Sequence, residues 1–160
     1  AVNAIANDGQ MMRPRIVYQI VDGDNVVTSR PAAIGNPISA ETANLVTNMM
    51  VDAVEQGLDE AAQVPGYTIA GKTGTAQIWG VTNYLPNDFM MSVVGFLPAD
   101  DPQISVLVML DRPQTGRFAS QVVAPIFADL AESLVLLMQI PNDQVRLQLA
   151  AEGVSLDGSD

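Results

Sequence analysis

The stretch YTIAGKTGTAQI, residues 67–78, contains Lys72, the only lysine of the 160-residue chain. Its first residues favour extended backbone, and the glycines and proline that follow cannot sustain a helix. Residues 67–78 are therefore predicted to form a β-strand that carries the lysine. Two further strands are predicted at 89–97 and 103–111. The residues between these two are too few for a crossover helix, so the strands should pair antiparallel.

Helical spacing of apolar residues predicts two helices that pack on this sheet. Ser39 can cap a helix that runs to about Gln56. Its predicted core stripe is Leu45, Val46, Met49, Met50, Ala53 and Val54. A closing helix is predicted at about 120–138, with Pro125 in or near its first turn. Its predicted core stripe is Val123, Ile126, Phe127, Leu130, Leu134, Leu137 and Met138.

The rest of the chain completes an α+β pattern, an antiparallel β-sheet with packed helices. Near the N-terminus, strands at 15–21 and 26–28 around Asp22-Gly23-Asp24-Asn25 are predicted to form a surface hairpin. Residues 141–160 become polar and small, and are predicted to form a short helix and a flexible tail. The chain opens in the middle of a helical pattern with no capping residue, so we expect it to be cut from a longer protein.

Charge and composition exclude several kinds of function. Eighteen acidic residues against seven basic ones give a net charge of −11, which repels a phosphate backbone and argues against nucleic acid as a partner. With no cysteine and no histidine, the chain offers neither a thiolate metal site nor a histidine base. No metal and no cofactor are predicted. The longest apolar stretch, 122–140, contains a proline and two acidic residues, so no membrane span is predicted.

A phosphate-binding loop is one interpretation of the lysine. Residues 66–73 satisfy the pattern G-x-x-x-x-G-K-[ST], and the apolar run 106–111 ends in an aspartate that could hold magnesium. A phosphate loop, however, needs a buried strand before the first glycine and a helix after the threonine. Neither flank has that character here, so the sequence argues against nucleotide binding.

The triplet Lys72-Thr73-Gly74 supports the other interpretation, because K-T-G on a strand is typical of penicillin-binding proteins and class A β-lactamases. Lys72 would supply positive charge, and the hydroxyls of Thr73 and Thr75 could donate to a carboxylate beside it. Gly74 would let a ligand approach the strand closely. The Thr75 N–H could donate to a developing oxyanion, and a substrate could add as a strand along residues 75–77, past Ala76 and Gln77.

The chain resembles the C-terminal part of the transpeptidase domain of class B penicillin-binding proteins over residues 2–140. Four segments carry the resemblance: IANDGQ with PRIV at 5–17, PGY leading into AGKTGTAQ at 65–77, VGFLPADDP at 94–102, and APIF at 124–127. The resemblance implies a serine-type D,D-transpeptidase that cross-links peptidoglycan by acyl transfer from D-Ala-D-Ala stem peptides. Lys72 and Thr75 are then candidate catalytic residues, and Lys72, Thr73, Gly74, Thr75, Ala76 and Gln77 candidate substrate-binding residues.

The family's nucleophile lies in S-x-x-K, and a second triplet, S-x-N, faces it. Neither pattern occurs here, since Ile69 lies three residues before the only lysine. We therefore expect this polypeptide alone to be inactive and the serine to lie upstream. Arg112, Arg117 and Phe118 precede the closing helix, where many relatives carry aromatics and paired glycines, and a binding role for them stays open.

The resemblance also implies a setting and a set of partners. These are stem peptides, β-lactams, the remainder of the transpeptidase domain and, through the parent, a SEDS-family glycosyltransferase. The implied location is the extracytoplasmic face of the plasma membrane, with an anchor upstream of this chain. Exposed apolar surface would also favour self-association. A D,D-carboxypeptidase, a β-lactam sensor and a non-catalytic binding or scaffolding domain remain alternatives.

Overall fold

The computed structural model describes residues 1–57 and 60–153. Their contacts divide the chain into two units, Ala1–Val46 and Thr47–Asp160. The predicted flexible tail lies mostly outside the described residues. No helix in the described ranges is long and apolar enough to cross a membrane.

The first unit contains one short helix and two small antiparallel pairs of strands. Its elements are α1 (Val2–Ala6), β1 (Met11–Met12), β2 (Gln19–Asp22), β3 (Asn25–Thr28) and β4 (Ala33–Gly35). β1 pairs with β4, and β2 pairs with β3. The predicted hairpin is therefore confirmed, but its first strand is shorter than expected and its second includes Asn25. Only Gly23 and Asp24 form the turn, and Gly23 supplies the positive φ of 58°.

Helix α2 (Ala40–Asp52) begins where the sequence predicts and ends in a π-helical turn, Ala53–Gly57. The Ser39 hydroxyl accepts a hydrogen bond from the Thr42 N–H at 3.1 Å, which confirms the cap. The predicted core stripe is wrong for Leu45 and Met49, which are more than half exposed. The six apolar residues cover about half of the helix circumference at ~100° per residue. Ala43, Met50 and Val54 are buried, and they lie along one side of this apolar stripe.

The second unit is built on a three-stranded antiparallel sheet in the order β5-β6-β7. The strands are β5 (Ala70–Trp79), β6 (Tyr84–Leu97) and β7 (Ile104–Asp111). The predicted antiparallel pairing is confirmed. β5 starts three residues later than predicted because Tyr67 closes a tight turn with Val64, in which Gly66 has a φ of 84°. β6 starts five residues earlier than predicted.

Two helices in place of one cover one face of this sheet. They are α3 (Ala119–Val122) and α4 (Ala124–Leu137). Pro125 lies in the first turn of α4, as predicted, and cannot donate a helical hydrogen bond. Its missing donor explains the break between the two helices.

The buried face of α4 is rotated by roughly 60° from the predicted stripe, at 3.6 residues per turn. Phe127 and Val123 are buried as expected, together with Ala124, Ala131 and Val135. Four residues of the predicted stripe are instead 41–78% exposed: Ile126, Leu130, Leu137 and Met138. The small alanine side chains let α4 lie close to the sheet, which turns the larger residues outward.

Helix α5 (Asp143–Ala151) lies in the segment where the sequence predicts a short helix. The Asn142 side chain caps it by accepting from the Val145 N–H at 2.9 Å. The Asp143 carboxylate accepts from the Thr68 N–H at 2.6 Å. Arg146, which is 94% buried, donates to Asp143 at 2.9 Å and also to Asp100 in the turn after β6. These contacts fix α5 to one end of the β5–β6 pair, where β5 begins and β6 ends.

We expect Arg146→Ala to lower the free energy of unfolding by about 2 kcal/mol, because it leaves Asp143 half-buried without its partner. Burial lowers the pKa of Arg146, but its hydrogen bonds with Asp100 and Asp143 raise it more, so the group stays charged. Urea unfolding of the chain measures the effect. Arg112→Ala is the matched control, since Arg112 pairs with Asp88 and Asp111 at the surface and should cost less than about 1 kcal/mol. Equal losses in the two variants would contradict this role for Arg146.

Tyr67→Phe should make the chain about 1 kcal/mol less stable at neutral pH, because the Tyr67 hydroxyl donates to the Ile140 carbonyl at 2.6 Å. Burial, and then the charge of Asp143, raise the pKa of Tyr67 above its ordinary value. Tyr67 therefore loses its proton at a lower pH in the unfolded chain than in the folded one. The contribution of Tyr67 to the free energy of unfolding falls as pH rises above about 10. Unfolding measured from pH 8 to 11 should show a steeper alkaline loss in the wild type than in Tyr67→Phe. Parallel curves would rule out the contribution of Tyr67.

Candidate functional site

β5 forms one edge of the sheet. It pairs with β6 on one side and with no other strand in the described part of the chain. Alternate N–H and C=O groups along an unpaired edge point away from the sheet and stay available to a ligand. All six predicted site residues, Lys72, Thr73, Gly74, Thr75, Ala76 and Gln77, lie on this strand.

The register of β5 with β6 divides these six residues between two faces. Lys72 is opposite Val94, Gly74 opposite Ser92, and Ala76 opposite Met90. The alternate set, Thr73, Thr75 and Gln77, lies on the face that α3 and α4 cover. A ligand added along the edge would therefore meet Lys72 on one side and Thr75 on the other.

Lys72 is exposed, and its ammonium bends toward the next residue. The Nζ atom donates to the Thr73 carbonyl at 3.1 Å and lies 3.5 Å from the Thr73 hydroxyl. Among the residues that the structure describes, no carboxylate forms a salt bridge with it. Lys72 and Thr73 thus present one positive charge and one hydroxyl together at the strand edge.

Thr75 lies away from this pair, next to the start of α3. Its hydroxyl accepts a hydrogen bond from the Ala119 N–H at 3.4 Å. The Lys72 ammonium therefore reaches Thr73 at the strand edge, while the side chains of Thr73 and Thr75 both belong to the face opposite Lys72. The Thr75 hydroxyl could reach a carboxylate bound at Lys72 only across the edge of the strand.

Gly74 lies where no larger residue fits without a change in its neighbour. A Cβ at this position would be 2.7 Å from the Ser92 hydroxyl oxygen. The sequence predicted that a ligand approaches Gly74 closely, which stays a prediction, and it missed the contact of Gly74 with Ser92. The register of β5 with β6 pairs Gly74 directly with Ser92, and this register was the signal that could have indicated the contact.

Two hollows flank β5. One of about 460 Å³ lies on the Thr75 face, and it is bounded by Phe89 and Met91 of β6 and by the loop that includes Arg117 and Phe118. The other, of about 730 Å³, lies before β5 and is bounded by residues 63–69 with Val54 and Glu55. Of the six predicted site residues, Thr75 borders the smaller hollow and none borders the larger one.

The pattern match to a phosphate loop has no counterpart in the fold. After Thr73 the chain continues as β5 to Trp79, where a phosphate loop would begin a helix. Among the described residues, no group of acidic side chains is arranged to hold a metal ion. The site is therefore a strand edge with one lysine.

Comparisons with known proteins agree on the family. The model of the penicillin binding protein transpeptidase domain matches residues 1–132. Stage V sporulation protein D of Bacillus subtilis is 37% identical over 134 residues, which are 81% of this chain and 21% of that protein. The probable peptidoglycan D,D-transpeptidase PbpC of Pseudomonas aeruginosa is 38% identical over 147 residues, 91% of this chain and 25% of that protein. The chain thus spans about a quarter or less of the length of these curated relatives.

The solved structures match in the same way. Penicillin binding protein 3 of Mycobacterium tuberculosis, in complex with aztreonam, superposes with a TM-score of 0.77 at 33% identity. The match covers 88% of this chain and 34% of that one. Penicillin binding protein 2X of Streptococcus thermophilus superposes with a TM-score of 0.75 at 26% identity, over 82% of this chain and 21% of that one. Sequence and fold therefore agree, and the chain belongs to the penicillin-binding protein transpeptidase domain family, in its class B group.

Proposed function

We propose that this chain forms one wall of the active site of a serine-type peptidoglycan D,D-transpeptidase. The observation that carries this proposal is the free edge of β5, where Lys72 forms no salt bridge with any described residue and Gly74 presents no side chain. Relatives named peptidoglycan D,D-transpeptidases, and relatives solved with aztreonam or ampicillin, support the same assignment.

In this proposal a stem peptide adds to β5 as an extra strand. The exposed edge groups of residues 75–77 make main-chain hydrogen bonds to it, which position the scissile D-Ala-D-Ala amide. Lys72 and the Thr73 hydroxyl bind the substrate carboxylate, because charge-assisted hydrogen bonds are the strongest available here. Penicillins carry a carboxylate and would occupy the same place.

The serine that attacks the amide carbonyl belongs to a longer protein that contains this chain. Its attack converts the carbonyl oxygen to an oxyanion, which the Thr75 N–H would stabilise by donating a hydrogen bond. The terminal D-Ala leaves, and the acyl group passes to the amine of a neighbouring stem. The positive charge of Lys72 favours the negative charge that develops during this step. We place the protein on the extracytoplasmic face of the plasma membrane, with a SEDS-family glycosyltransferase as a partner of the parent.

A fluorescent penicillin tests where the serine lies. We expect the isolated chain to take no covalent label, because its sequence has no S-x-x-K. The longer protein should be labelled at a serine outside these residues. Gel fluorescence and mass mapping of the labelled peptide give the answer, and label on the isolated chain would disprove this account.

In the longer protein, Lys72→Ala should lower the rate of acylation by benzylpenicillin roughly 10- to 100-fold, the value of one hydrogen bond to a charged group. Lys72 is exposed, so the melting temperature should hardly change. Arg30→Ala is the control, because Arg30 is also exposed and lies outside β5. A Lys72→Ala protein with the wild-type rate would contradict the assigned role.

Gly74→Ala should lower stability by about 1 kcal/mol, because the added methyl group meets the Ser92 hydroxyl. Adding Ser92→Ala should restore most of that stability, since it removes the clashing atom. Gly74→Ala should also slow acylation, and acylation of the double variant should remain slow, because the added methyl group still occupies the space through which the ligand approaches β5. Thermal unfolding and stopped-flow acylation of the four proteins in this cycle measure both effects, and full recovery of acylation would leave Gly74 with a packing role alone.

A further inference from the structure

The hollow on the Thr75 face contains one charged residue. Among the described residues that border it, the charged one is Arg117, and the neutral ones are Thr75, Asn87, Phe89, Met91, Pro113, Gln114, Gly116 and Phe118. The chain as a whole carries −11, so a hollow bordered by a cation and no carboxylate stands against the general charge of the protein. Arg117 is therefore the group at this hollow that can form a charge-assisted hydrogen bond with an anion.

Arg117 differs from its neighbour Arg112 in having no acidic partner. Arg112 lies in the same loop and contacts Asp88 and Asp111, each at 3.2 Å. Arg117 forms no salt bridge with any described residue. The charge of Arg112 is therefore compensated within the protein, while that of Arg117 is available to a ligand.

The backbone around Arg117 is held against α3. Gly116 has a φ of 77°, and a Cβ there would clash with a methyl group of Val122. The Arg117 N–H donates to the side-chain oxygen of Gln121 at 3.4 Å. Phe118, next in the chain, is more than half exposed at the rim of the hollow. The loop thus presents a cation and an aromatic ring side by side.

A ligand that adds to β5 as a strand sends alternate substituents to the two faces of the sheet. Substituents on one side meet Lys72, and those on the other meet Thr75 and the hollow beside it. This step rests on the proposed function, because it takes the stem peptide or a β-lactam as the added strand. Lys72 and Arg117, which form no salt bridge with any described residue, would then contact two different parts of one ligand.

We propose that Arg117 binds a carboxylate carried by the acyl donor on the side that faces Thr75. The protein would then prefer acyl donors with an anionic substituent at that point, while Phe118 packs on the adjoining apolar part. Lys72 binds the carboxylate common to all these ligands, and Arg117 discriminates among them. Arg117 is in this sense a specificity-determining residue for the transfer.

Three penicillins that differ in one charge test this proposal on the longer protein. Carbenicillin has a carboxylate at the benzylic carbon where benzylpenicillin has a hydrogen and ampicillin an ammonium group. The measured quantity is the second-order rate constant of acylation, expressed as the ratio of carbenicillin to benzylpenicillin. Arg117→Gln should lower this ratio about two- to fivefold, the range expected for one exposed ion pair. Arg117→Glu should lower it further and raise the ratio of ampicillin to benzylpenicillin.

Arg112→Gln is the matched control, since it removes the same charge from the same loop at a compensated position. An unchanged ratio in Arg117→Gln, or the same fall in Arg112→Gln, would overturn the proposal. Benzylpenicillin itself separates the two hypotheses. If it fails to acylate the wild-type protein, the proposed function is wrong, whereas normal acylation with an unaltered ratio refutes the role of Arg117 alone.

Discussion

The close packing of α4 on the sheet at Gly95 is the contact on which the second unit depends. A Cβ at Gly95 would lie 2.8 Å from the Ala70 carbonyl oxygen and 3.0 Å from the ring of Phe127. The absence of a side chain there lets Phe127, which is fully buried, sit directly on the β5–β6 pair. Because α3 and α4 cover part of that face, the open edge of β5, its opposite face and the hollow beside Thr75 remain for a ligand.

Charge placement explains how an acidic protein presents cations at this edge. Arg146 and Arg112 are each surrounded by aspartates and hold parts of the fold together. Lys72 and Arg117 make no ion pair with the described residues and lie on opposite sides of β5. An uncompensated cation stabilises the folded state little, so its value lies in binding an anion. The structure thus pairs Arg146 and Arg112 with aspartates and leaves Lys72 and Arg117 without an ion pair among the described residues.

Much of the fold could be predicted because it follows from local patterns. The Ser39 cap, the Gly23 turn and Pro125 each impose a backbone preference on a few neighbouring residues, and each lies where expected. The predicted buried sides of α2 and α4 were wrong because hydrophobicity along the chain does not show whether an alanine is buried or exposed. Ala124 and Ala131 face the sheet, and Leu137 faces outward, because close approach favours small side chains. Ser92 and the hollow beside Thr75 depend on contacts between residues far apart in the chain.

By itself the sequence determined the strand that carries Lys72, the glycine beside it, the family and the lack of a nucleophile. Each of these is a property of residue type and order along a short stretch. Only the tertiary structure decided which face of β5 the helices cover, and that Arg112 pairs with aspartates while Arg117 pairs with no described residue. Those properties arise from strand register and helix packing, which bring together groups that the sequence keeps tens of residues apart.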